Sequence, residues 1–109
     1  MARRLFGIRN NTPTWNRYVK GSVPDRPRNI VGPNVRRIRS KRGLSQAQLV
    51  AMCQRSGWDI SREILAKIEA QIRWVSDFEL LLLAAALRVP VTELLPPLST
   101  AKAMCQDKE

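Results

Sequence analysis

Three times between Leu44 and Leu80 the chain repeats one local signature: an apolar residue, a serine directly after it, and a second apolar residue four positions beyond the serine. The instances are Leu44-Ser45 with Leu49, Ile60-Ser61 with Leu65, and Val75-Ser76 with Leu80. A serine at a helix N-cap accepts a hydrogen bond from a first-turn amide that has no partner inside the helix, and the apolar pair closes over it as a staple that fixes the entry angle. Ser45 with Gln48 and Ser76 with Glu79 also have the spacing of a reciprocal capping box. Three helix starts at fixed positions, with apolar residues recurring at helical spacing after each and no alternating run between them, leave an all-α fold as the expectation.

The punctuation extends this frame. A first helix opens at Pro33, which suits a first-turn position, and closes before Gly43, which suits the left-handed residue past a helix end. Val31, Val35 and Ile38 line its inner face, while Arg36, Arg37, Arg39, Lys41 and Arg42 cover most of the remainder. Further helices are expected over about 46–54, 62–71 and 77–88, with a brief fifth over 92–95. Between the second and third, Gly57 permits a positive φ and Trp58 caps the core. Two short helices joined by a glycine-containing turn make a helix-turn-helix pattern. The expected core includes Leu49, Val50, Cys53, Leu65 and Ile68.

Charge divides the chain into three parts: a basic arm over 1–31, the helical domain over 32–95 and a short tail over 96–109. The arm holds seven basic residues, namely Arg3, Arg4, Arg9, Arg17, Lys20, Arg26 and Arg28, against Asp25 alone. Pro13, Pro24 and Pro27 with Asn10-Asn11 interrupt any long helical or strand period there, so an extended arm is expected. Pro96-Pro97 ends whatever helix precedes it, and a weakly ordered tail is expected beyond. The formal net charge of +10 points to an anionic partner. There is no histidine, which removes the commonest general base and most zinc sites, and Cys53 and Cys105 form no metal-binding pair. Neither an enzyme, a metal, a cofactor nor a small-molecule ligand is expected. No signal peptide is expected, because no sufficient apolar run follows Arg3-Arg4, and the longest apolar run, 80–87, is far short of a membrane span. A cytoplasmic, nucleoid-associated protein is the expectation.

Across Val35 to Leu95, the runs V-R-R-I-R-S-K-R-G-L-S-Q, I-S-R-E-I-L-A-K-I-E and A-L-R-V-P-V-T-E-L-L resemble, in order and spacing, the Cro and phage-repressor (XRE) helix-turn-helix family. The resemblance implies a compact five-helix, lambda-repressor-like DNA-binding domain whose third helix enters the major groove of double-stranded DNA. It implies base-reading positions at Ser61, Arg62, Glu63 and Lys67. It implies phosphate contacts at Gln46, Arg39, Arg42 and Arg73, and an interhelix salt bridge between Arg39 and Glu69. The chemistry agrees: Arg62 and Lys67 carry donors for guanine O6 and N7, Glu63 accepts from cytosine N4, and a helix N-terminus beside Gln46 favours a phosphate.

Four positions depart from the family pattern. The turn before the third helix is longer than in the compact phage repressors, Gln71 stands where glycine is common, Ile64 is apolar where a polar residue is common, and Pro90 replaces a capping serine. Ile64 either touches a thymine methyl or packs beneath Trp58. Leu80 to Leu83 give the fourth helix more apolar surface than a core stripe needs, and Leu82, as the surplus, points to a homodimer contact. Two functions fit: a sequence-specific transcriptional regulator that occupies an operator, and an antitoxin-like or coactivator-like adaptor whose helix-turn-helix domain positions a protein partner.

Overall fold

The computed structural model describes residues 26–105. The expected extended arm lies outside the described residues up to position 25, as do positions 106–109. Five α-helices follow one another: α1 (Gly32–Lys41), α2 (Gln46–Arg55), α3 (Arg62–Glu69), α4 (Asp77–Leu87) and α5 (Leu98–Cys105), with a 3-10 turn at Val91–Glu93 between the last two. No strand occurs among the described residues.

Each of the three serines caps its helix. Ser45 and Ser76 form complete capping boxes with Gln48 and Glu79, and Ser61 accepts from the amide of Ile64. Gly43 and Gly57 take the left-handed backbone after α1 and α2, at φ 71° and 96°. Two residues with a Cβ do the same: Gln71 after α3, at φ 66°, and Arg88 at the end of α4, at φ 60°. For that reason α3 and α4 stop short of the ends expected from sequence.

Helices α1 and α2 both pack against α3 and α4, and the 3-10 turn packs against α4. Val35, Leu49, Cys53, Ile60, Leu65, Ile68, Leu83, Leu87 and Leu94 are closed off from solvent where they meet. Trp58 and Ile64 lie half-buried against this core, so Ile64 packs. The long turn before α3 is tied down rather than loose: the Gln54 side-chain amide donates to the carbonyl of Ile60 at 3.0 Å, and Ile60 is buried. Gly32 sits where α1 approaches the end of α3 so closely that a Cβ would run into the carbonyl oxygens of Ile68 and Glu69.

The structure corrects two expectations. The brief fifth helix over 92–95 is only a 3-10 turn, because Pro90 supplies no capping hydroxyl and Pro96 cannot continue a helix. The tail beyond Pro97 is helical through Cys105, with the Ala101 amide donating to the Pro97 carbonyl at 3.0 Å. On α4, Leu82 is half-buried, and beside it Phe78 and Leu81 are more open, 65% and 56% exposed. A run of four leucines has no period of its own, so the core's placement decides which of them turns out. No helix among the described residues is long and apolar enough to cross a membrane.

Candidate nucleic-acid interface

Helix α3 is short and strongly two-sided. Leu65 and Ile68 are wholly buried, while Ser61, Arg62 and Glu63 at the start and Lys67 in the last turn are exposed. The Ser61 hydroxyl accepts from the Ile64 amide at 3.1 Å, which leaves the helix to begin with its amide dipoles and Arg62 at the surface. Lys67 Nζ lies 3.8 Å from Glu63 Oε2, an exposed i, i+4 pair that another partner's groups can displace at little cost. The face thus offers two cationic donors and one acceptor along one short helix, a set able to distinguish base-pair edges.

The far end of α3 is fixed by a buried carboxylate. Glu69 accepts from Arg39 Nε at 2.7 Å, from Arg39 Nη2 at 3.1 Å and from Gln46 Nε2 at 3.0 Å. Arg39 also donates through Nη1 to the Leu44 carbonyl at 2.7 Å. The side chains of the pair are 12% and 4% exposed. The hydrogen bond from Arg39 to Glu69 raises the guanidinium pKa further above its ordinary value, outweighing the opposing effect of burial. One carboxylate therefore joins α1, the first residue of α2 and the last turn of α3, setting the relative height of the two helices of the motif.

A helix-turn-helix family model matches residues 35–94, from within α1 to the end of the 3-10 turn, which is more than half the chain. The chain belongs to the helix-turn-helix family. Its type is that of Cro and the phage repressors (XRE), whose domain binds DNA and serves transcription regulation. No curated protein and no solved structure gives a match.

Within this helix-turn-helix domain the sequence-derived residues divide into two groups. Arg39, Gln46 and Glu69 are brought together, and Ser61, Arg62, Glu63 and Lys67 share the exposed side of α3. Arg42 is exposed at the end of α1. Arg73 instead forms a bidentate pair with Glu79, at 3.0 and 3.3 Å, and donates to the Trp74 carbonyl at 3.0 Å, so its fork braces the loop after α3 against the start of α4. Burial pushes the Glu79 carboxyl up, but hydrogen bonds from Arg73 and the Ser76 amide and hydroxyl, with the Arg73 charge, leave it below its ordinary value.

Sequence reasoning missed the clamp behind α3. Asn29 Oδ1 accepts from the amides of Val31 and Gly32, at 3.1 and 2.7 Å, capping α1, whose N-cap Val31 has no polar side chain. The same side chain donates to the carbonyls of Ile68 and Arg73, at 3.0 and 2.9 Å. Gln71, held in its left-handed conformation, accepts from the Arg28 amide at 2.9 Å through its carbonyl and donates through Nε2 to the Asn29 carbonyl at 3.0 Å and the Met104 sulfur at 3.5 Å. Arg28 also sits over the Trp74 ring, 5.6 Å from its centre. An Asn just ahead of a Gly-Pro helix start is an Asx-turn signal, so the sequence does carry a trace of the clamp. The charge boundary at position 31 hides it by placing Asn29 in the arm.

Proposed function

We propose that this protein is a sequence-specific transcriptional regulator that acts by occupying an operator in double-stranded DNA, cytoplasmic and nucleoid-associated, as a homodimer on a two-fold site. The observation that carries the proposal is the outward polar face of α3, locked to the first residue of α2 through Glu69. In this reading α3 lies in the major groove with Ser61, Arg62, Glu63 and Lys67 toward base edges, while Gln46, Arg39 and Arg42 lie toward phosphates. Arg39 is then both strut and contact. Arg73, braced on Glu79 as Arg39 is on Glu69, likewise lies toward a phosphate.

The basic residues ahead of the domain add sequence-independent attraction. Removing residues 1–25 keeps Asn29 and the clamp, and flattens the dependence of log K on log salt by about 0.9 for each phosphate those residues neutralise, with the preferred sequence unchanged. The test of the function itself is selection of bound sequences from a random duplex library. Enrichment of a two-fold sequence, its half-sites about 34 Å apart or a multiple of it, is expected. Bound sequences no more alike than the starting library would overturn the proposal.

A further inference from the structure

The outward side of α4 differs in kind from those of α1 and α3. Its sequence, DFELLLLAAAL, is apolar nearly all round. Leu83, Ala84, Ala86 and Leu87 are buried inward, yet Phe78 is 65% and Leu81 56% exposed, with Ala85 exposed and Leu82 half-buried beside them. Phe78, Leu81, Leu82 and Ala85 follow i, i+3, i+4, i+7 spacing and form one continuous stripe. Trp74, 65% exposed, precedes it. By contrast, α1 turns Arg36, Arg37 and Lys41 to solvent, and α3 turns out Arg62, Glu63 and Lys67. A helix apolar on both sides is one that is buried on both sides.

The stripe is also graded along its length. The bulky ring of Phe78 stands at one end and the methyl of Ala85 at the other. Beside the stripe lie Asp77, at the first position of the helix, and Arg88, the left-handed residue that closes it, both exposed. Size and charge both run from one extreme to the other, so the face complements itself when turned end for end. That is the relation a two-fold axis imposes on an interface. Parallel pairing would instead set ring on ring and like charge on like.

We propose that α4 is the self-association helix: it pairs antiparallel with α4 of a second copy, the two-fold axis passing between Leu81 and Leu82. Phe78 of each copy then covers Ala85 of the other, and Asp77 of each lies beside Arg88 of the other. The inference rests on the two-fold operator reading above and deepens it, giving that reading its protein interface.

The experiment measures the mass of the full chain in solution without DNA, by sedimentation or light scattering across concentration. The wild type is expected to pass from monomer to dimer. Asp77→Arg and Arg88→Asp are each expected to be monomeric where the wild type is dimeric, since each variant alone places like charges together at both ends of the pair. Mixed in equal amounts, the two are expected to recover the dimer, because opposite charges then meet at both ends. Leu81→Glu, with circular dichroism and melting temperature confirming the fold, is expected to remain monomeric. A wild type that stays monomeric, single variants that dimerise as well as the wild type, or a mixture that stays monomeric would each overturn the proposal; the first result with the stripe protected would mark residues of the chain's own N-terminal segment as its cover. A monomer that selects single half-sites overturns this inference and leaves the DNA reading standing. A dimer that selects no sequence does the reverse.

Discussion

Helices α3 and α4 follow one another in the chain, are each capped by a serine, and each bury two aliphatic side chains completely on the inner side, Leu65 and Ile68 on one and Leu83 and Leu87 on the other. Outward they differ in kind. Helix α3 presents Arg62, Glu63 and Lys67, whose hydration is retained until a polar partner replaces it; α4 presents Phe78, Leu81 and Ala85, which gain only by leaving water. Their anchoring differs in the same sense. The end of α3 closes on a pair that is nearly shut off from solvent, Arg39 with Glu69, whereas the start of α4 is braced by a more open one, Arg73 with Glu79, whose side chains are 31% and 20% exposed. The rigid connection is thus placed at the helix proposed to read bases, and the looser one where only a loop is steadied.

The largest effect expected from this contrast is that of Glu69→Ala. It leaves the Arg39 charge enclosed without its carboxylate and frees Gln46, so a loss of about 3 to 5 kcal/mol is expected by urea denaturation. Glu79→Ala, at the more open pair, is expected to cost about 1 kcal/mol beyond its contribution to the cap. Equal losses at the two sites would mean that the two anchors do not differ.

Next comes Gly32→Ala, which tests how tightly α1 is set against the end of α3. An added methyl meets backbone carbonyls rather than flexible side chains, and a loss of about 1 to 3 kcal/mol is expected in the same assay. An unchanged midpoint would mean that α1 can slide on α3, and that the register attributed to Glu69 is not rigid.

What is legible in the sequence, and what is hidden, follows the range of the forces involved. The three capping serines act within four residues, so their chemistry can be read directly and holds at all three sites. The left-handed Gln71 is readable as a local cost, but not its compensation: its partners Asn29 and Met104 lie 42 and 33 positions away. The double proline reads as a stop, although proline is also at home at a helix start, and Pro97 stands directly before α5. The Arg39–Glu69 pair is legible through the family resemblance and not through spacing. The outward face of α4 is more open at Leu81 than at Leu82, which the sequence does not resolve because four consecutive leucines carry no phase.

A smaller effect concerns pH. The Glu79 carboxyl lies below its ordinary value in the fold, so the folded state holds its proton less tightly than the unfolded chain does. Its contribution is therefore complete above the ordinary glutamate value of about 4.3 and is lost as pH falls through the folded value. Glu79→Gln is expected to remove part of the acid sensitivity below about pH 4.3, read as a flatter dependence of urea midpoint on pH there. An identical pH profile in the variant would show that the carboxylate adds nothing to the brace.

Whether the outer face of α3 reads bases is decided by the affinity of Arg62→Ala for a panel of duplexes, each altered at one position of the selected site. A base-reading Arg62 predicts a loss of about 1 to 3 kcal/mol on the preferred duplex, coinciding with loss of discrimination at a single base position per half-site and unchanged discrimination elsewhere. Uniform weakening on every duplex, together with a shallower salt dependence, would make Arg62 a phosphate contact and contradict that assignment.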